Sequence, residues 1–162
     1  WMRPDAPETE VLNVSRRTKM TIRVPTTRLE DIKALTGKTL DINGHSLKVG
    51  TYSTRKLSKL TTIFARYMDT DGTEDENKFL EGMVQKLLEK DIKVKKMLSG
   101  KLMTHKTDQG TILTRKIMIS DLDVMQSVLL QEQGLGDKQL LGMGIFIPHK
   151  GIDAVNKEQE KS

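Results

Sequence analysis

TTIFARYMDTDGTEDENKFLEGMVQKLLEK, residues 61–90, sets the two hydrophobic periods of folded proteins side by side. In residues 62–68, Ile63, Ala65 and Tyr67 share one face, which is the period of a strand. Phe79, Leu80, Met83, Val84, Leu87 and Leu88 then recur at helical spacing as a wide apolar stripe. Between them Thr73-Glu74-Asp75-Glu76 has the form of a capping box, in which a hydroxyl and a carboxylate each satisfy an orphan helix N–H. The stretch predicts a strand that feeds an amphipathic helix.

The pattern continues toward the C-terminus. Residues 94–103 and 112–119 predict a long hairpin around 105–110, with Leu113, Arg115, Ile117 and Ile119 alternating against Thr114, Lys116 and Met118. Ser120 or Asp121 is then expected to cap a helix that buries Val124, Met125, Val128 and Leu129. A last strand runs over residues 144–148, where Pro148 ends it. The order is strand, helix, strand, strand, helix, strand, which is ferredoxin-like.

Toward the N-terminus, residues 1–10 read as an irregular lead-in, 11–14 as a short strand and 20–24 as a half-buried strand that ends at Pro25. Thr27 to Glu30 repeats the capping-box form, and Leu29, Ile32 and Leu35 follow on one helical face before Gly37. Leu40, Ile42, the Asn43-Gly44 pair, Leu47 and Val49 predict a hairpin. Residues 50–60, basic and polar, read as a linker.

The expected fold class is therefore α+β, with two tandem ferredoxin-like (RRM-like) units, the first lacking its opening strand and helix. Boundaries fall at 1–59 for the partial unit with its linker, 60–152 for the complete unit, and 153–162 for a polar tail. The chain opens on Trp1, which fits a missing opening strand and helix.

Composition narrows the partners. A formal net charge of +5 and a pI near 9.4 favour a polyanion. Residues 92–120 hold seven basic side chains against the single acid Asp108, whereas residues 61–91 hold four against eight, so the excess belongs to the hairpin. Lys93, Lys95, Lys96, Lys101, Lys106, Arg115 and Lys116, with Lys138 further on, are the candidate phosphate contacts. The bland alternative is that lysines guard an exposed sheet edge. Aromatic residues are too scattered for single-strand stacking, so a folded or duplex shape suits the chain better.

Cysteine is absent, which removes disulfides, thiol nucleophiles and thiolate zinc sites and agrees with a reducing cytoplasm. No apolar run approaches the roughly 18 residues of a membrane span. His45, His105 and His149 show no metal-ligand spacing, and each is expected to be exposed. Metal-independent RNA cleavage needs only a base for the 2′-hydroxyl and cations for the phosphorane, but the spacing commits no histidine to that task.

One stretch resists a packing account. QEQGLGDKQLLGMGIFIP, residues 131–148, carries Gly134, Gly136, Gly142 and Gly144, each about 0.5–1 kcal/mol costlier than Ala in an ordered element. A helix C-cap followed by a tolerant strand start is one reading, and a backbone surface for phosphate is the other. Gln139 stands where a dinucleotide fingerprint needs its third glycine, and no P-loop lysine pattern is present.

LQEQGLGDKQLLGMGIFIPHKG, residues 130–151, resembles the glycine-rich loop and final strand of the CRISPR repeat-processing endoribonucleases, the sixth CRISPR-associated family, in the form of its MYXAN-type branch. LTGKTLDINGHSLKVGT (35–51) and LTTIFARYMDTDG (60–72) match that branch in order and spacing. The resemblance implies binding of a repeat RNA stem-loop, metal-independent cleavage at its base without a cofactor, and retention of the processed guide. It also implies that the four glycines form the loop, that the basic hairpin with Arg115 and Lys116 faces RNA, and that other effector subunits are partners. The catalytic histidine is expected in the opening region that this chain lacks, so the catalytic residue is unknown. Two alternatives stay open: a non-catalytic subunit that holds the guide's hairpin, and an interaction domain with no RNA role.

Overall fold

The computed structural model describes residues 19–107 and 110–150. The chain divides into two compact units, Trp1–Thr54 and Arg55–Ser162. The lead-in over 1–10, the strand expected over 11–14 and the tail over 153–162 lie outside the described residues.

In the first unit a turn of 3-10 helix, Thr26–Arg28, runs into α1, Leu29–Lys33. Strands β1, Thr39–Ile42, and β2, His45–Lys48, follow as an antiparallel pair closed by Ile42 against His45. Asn43 and Gly44 sit at φ 51° and 80°, the left-handed geometry that a two-residue hairpin turn demands. Asp41 Oδ1 accepts from Gly44 N at 2.9 Å and steadies the turn.

Two expectations fail in this unit. Residues 20–24 form no strand, and Met20 and Ile22 are 71% and 49% exposed, because alternation yields a strand only where a neighbour completes the ladder. Thr27 caps nothing: neither the 3-10 turn nor α1 has a side-chain cap bond. Glu30 instead pairs with Lys33, and Asp31 with Arg28. None of the described residues from 19 to 54 is buried.

The second unit is built on a four-stranded antiparallel sheet. Its elements are β3, Ile63–Asp69; α2, Glu76–Leu88; β4, Lys96–Thr107; β5, Gly110–Ser120; α3, Val124–Gln133; and β6, Phe146–Pro148. The strand order β4-β5-β3-β6 puts the first and third strands of the unit at the centre and is the ferredoxin-like topology. The whole fold is α+β, with two antiparallel sheets and few helices.

Ile63, Ala65 and Met68 of β3, Ile117 and Ile119 of β5, and Phe146 of β6 meet Phe79, Met83 and Leu87 of α2 and Leu130 of α3 in one buried cluster. Each such side chain contributes about 1.5–3 kcal/mol on burial, which makes this core the main source of the unit's stability.

Local details depart from the sequence pattern for identifiable reasons. Asp75, not Thr73, caps α2 and accepts from Lys78 N at 2.9 Å, because Asp71 and Gly72 first carry the chain through a left-handed turn. Asp123, with Gln126, forms the capping box of α3, while Asp121 sits in a turn at φ 60°. The face that α3 buries is Ser127, Leu130 and Gln131, whereas Val124 and Met125 are 41% and 82% exposed. Ser127 Oγ donates to Leu60 O at 2.5 Å, and Gln131 Nε2 donates to Ser58 O at 2.8 Å. These bonds rotate the helix toward the 58–60 segment and satisfy two polar side chains that would otherwise be costly to bury.

Candidate nucleic-acid interface

Strands β4 and β5 form a continuous antiparallel arm from Lys96 against Ser120 to Thr107 against Gly110. At about 3.3 Å per residue the arm is on the order of 35 Å long. Thr107 Oγ1 donates to Gly110 O at 2.8 Å beside the turn.

Both neighbours of β5 are irregular at the same level. β3 shifts register between Ala65 and Met68, and β4 between Ser99 and Leu102, each against Ile117 and Arg115. An extra residue in a strand reverses its alternation from that point on. Met68 therefore takes the core place that the alternation assigned to Tyr67, which is half-buried. A Cβ at Gly100 would lie 3.0 Å from Lys116 Cβ, so the absence of a side chain lets β4 approach here. Gly100 inside a strand pattern was the available signal for this bulge.

The structure separates the eight candidate cations. Lys93, Lys95, Lys96, Lys101, Lys106 and Lys116 are exposed. Lys93 and Lys95 precede β4, and Lys96 pairs with Asp121 at 3.0 Å on the surface, where such a pair contributes little. Lys101, Lys106 and Lys116 stand on the arm itself and form no ion pair among the described residues.

Arg115 corrects the expectation of a surface contact, since it is only 8% exposed. Its guanidinium donates to Gly100 O at 2.9 Å and Glu74 O at 2.6 Å, joining β5 to the β4 bulge and to the turn before α2. A buried cation in this position holds three segments together. Lys138 is also engaged: it donates to Asp69 Oδ2, and that hydrogen bond raises its pKa above the ordinary lysine value.

The glycine stretch folds largely onto itself. Gly134 ends α3 at φ 66°, and Gln139–Leu141 forms a 3-10 turn that Gly142 closes at φ 81°. Leu135 N donates to Gly144 O at 3.0 Å, and Gly144 N donates to Tyr67 O on β3 at 2.7 Å. A Cβ on Gly144 would lie 1.9 Å from Leu135 O, and one on Gly134 2.7 Å from Gly144 O. Gly136 and Gly142 have open space, so they serve backbone direction only. At Gly134 and Gly144 the close approach is thus made to the protein's own backbone.

Of the histidines, His45 is exposed beside the hairpin turn. His105, expected in solvent, is half-buried: its Nε2 lies 2.8 Å from Thr114 Oγ1 and its ring meets Tyr67 edge-on at 4.9 Å. His149 lies edge-on to Phe64 at 5.5 Å. Among the described residues no three His, Asp or Glu side chains cluster as a metal site, and no helix is long and apolar enough to cross a membrane. An open cleft of about 410 Å³ beside the loop is lined by Asp69, Asp71, Glu74 and Lys138 with Gly72 and residues 111–113. Its wall carries three carboxylates and one lysine, a balance that disfavours phosphate.

The chain is 24% identical over 139 residues to the CRISPR-associated endonuclease Cas6 of Myxococcus xanthus strain DK1622. The match takes in 86% of this chain and 60% of that protein, so the chain spans less than two thirds of its relative. The family described as Cas6 Crispr matches residues 3–151, nearly the whole sequence. With the ferredoxin-like second unit, its basic arm and its glycine loop in place, the chain belongs to the Cas6 family of CRISPR-associated proteins.

Proposed function

We propose that this chain binds the stem-loop of a CRISPR repeat in precursor RNA, laying the β4–β5 arm against the stem. The observation that carries this reading is the set of Lys101, Lys106 and Lys116, exposed and without an ion pair among the described residues, on a two-stranded arm in a Cas6 chain. Ammonium groups along such an arm neutralise phosphates and fix register, while shape selects the hairpin. The reaction served is metal-independent endonucleolytic cleavage at the hairpin base, after which the guide's 3′ hairpin stays bound. A cytoplasmic location follows from that substrate.

A second reading is a subunit that holds the processed hairpin within an effector complex and does not cut. The placement of His105 favours it, whereas His45 and His149 are exposed. His105 is tied to Thr114 and Tyr67, and His149 lies against Phe64.

The deciding experiment titrates this chain with a cognate repeat hairpin in EDTA and follows both retention and cleavage. Tight, salt-dependent retention with cleavage supports the endoribonuclease, and retention without cleavage supports the holding subunit. No preference for the hairpin over an unrelated RNA of equal length would sink both.

A further inference from the structure

Lys138 is the sole cation of the glycine loop, and in this structure it does not face outward as a free charge. It meets Asp69, the last residue of β3, whose side chain is 11% exposed. Asp69 has two tasks, since Oδ1 accepts from Asp71 N at 3.1 Å while Oδ2 receives the lysine. The bulge between Ala65 and Met68 makes this meeting possible. Had β3 kept a strict alternation, Asp69 would share the core face with Ile63 and Ala65. The extra residue puts Met68 there instead and turns Asp69 to the other face, in register with Thr114.

The loop is consequently fastened to the end of β3 at two points. One is the backbone bond from Gly144 N to Tyr67 O, and the other is the carboxylate of Asp69. Lys138 is also a backbone hub, because its carbonyl accepts from Leu141 N at 3.0 Å and Met143 N at 3.2 Å. Pinning this one residue orients the 3-10 turn and the approach to β6.

We propose that Asp69 is a positioning residue that latches the glycine loop through Lys138, so that Lys138 anchors the loop and does not serve as a phosphate contact. Its consequence for RNA rests on the function proposed above, whereas the latch itself is a property of the free protein. Lys138 is charged at neutral pH with or without this contact, and the hydrogen bond to Asp69 raises its pKa further.

The test uses the full chain with Lys138→Met, Lys138→Arg, Asp69→Asn and the double variant Asp69→Asn/Lys138→Met. Asp69→Asn retains an oxygen for Asp71 N–H and removes the charge, which separates the two tasks. Hydrogen exchange of the Leu135, Met143 and Gly144 amides is measured without RNA. The latch predicts about tenfold faster exchange in Lys138→Met and Asp69→Asn, with no further gain in the double variant and near-normal protection in Lys138→Arg. Unchanged loop exchange in Lys138→Met overturns the latch. Amides of β5 serve as the control, since faster exchange there too would show general unfolding and also overturn a local role.

With a repeat hairpin, Lys138→Met should weaken binding and leave the slope of log affinity against log salt unaltered. A fall in that slope of about 0.7–0.9 would make Lys138 a phosphate contact and overturn the assignment. If the wild-type chain does not bind the hairpin, the functional reading fails while the exchange measurement still decides the latch.

Discussion

The β4–β5 arm and the glycine loop are separated in the chain by one helix, and the lysines that project from the arm differ in fate from the one in the loop. Lys101, Lys106 and Lys116 project from the arm without acidic partners among the described residues. In the loop, Lys138 is bound to Asp69, Gln139 Nε2 donates to Gly136 O at 2.6 Å, and Gly144 bonds to Tyr67. The arm has a ladder to hold it, so Lys101, Lys106 and Lys116 are not needed for its shape. The loop has no ladder and uses its own polar groups to acquire a shape.

This contrast can be broken by substitution. The largest effect is expected at Gly144, where a Cβ would overlap Leu135 O in a backbone already at φ 66°. Gly144→Ala should cost about 3–5 kcal/mol in urea unfolding, from overpacking and left-handed strain together. A loss below 1 kcal/mol would show that the loop relaxes freely.

Arg115→Met comes next, at about 2 kcal/mol, because it orphans the carbonyls of Gly100 and Glu74. Its RNA salt dependence should match wild type, in contrast to that of any surface lysine. Gly136→Ala should cost about 1 kcal/mol, since space is open and only the φ of 84° opposes it. Equal losses at Gly136 and Gly144 in the same unfolding assay would contradict the division between direction and close approach.

The smallest change in stability belongs to the triple substitution of Lys101, Lys106 and Lys116 by Ala, within about 0.5 kcal/mol. The same protein should show the greatest change in RNA binding, with a salt slope reduced by roughly 2 or more in a filter-binding titration. Retained affinity and slope would remove the arm from the interface.

Much of the fold was legible because its signals are local. The Asn43-Gly44 pair implies a left-handed turn wherever it occurs, and the stripe from Phe79 to Leu87 needs only helical spacing to be recognised. The order of elements in the second unit followed from such signals, and with it the ferredoxin-like topology. The site was less legible. A count of basic residues locates charge along the chain but does not say which side chains reach water: Arg115 belongs to that count and lies inside.

The sequence by itself thus determined the elements of the second unit, their order, the basic segment and the family pattern of the glycine stretch. Tertiary structure alone decided the buried face of α3 and the face of β3 beyond its bulge. Two one-residue bulges reversed alternation beside Arg115 and Lys116, and the pull of Ser58 and Leu60 on Gln131 and Ser127 rotated α3. These outcomes depend on groups far apart in the chain, as in the 69-residue separation of Asp69 and Lys138. A periodicity carries no information about such a partner; only the folded backbone brings the two charges together.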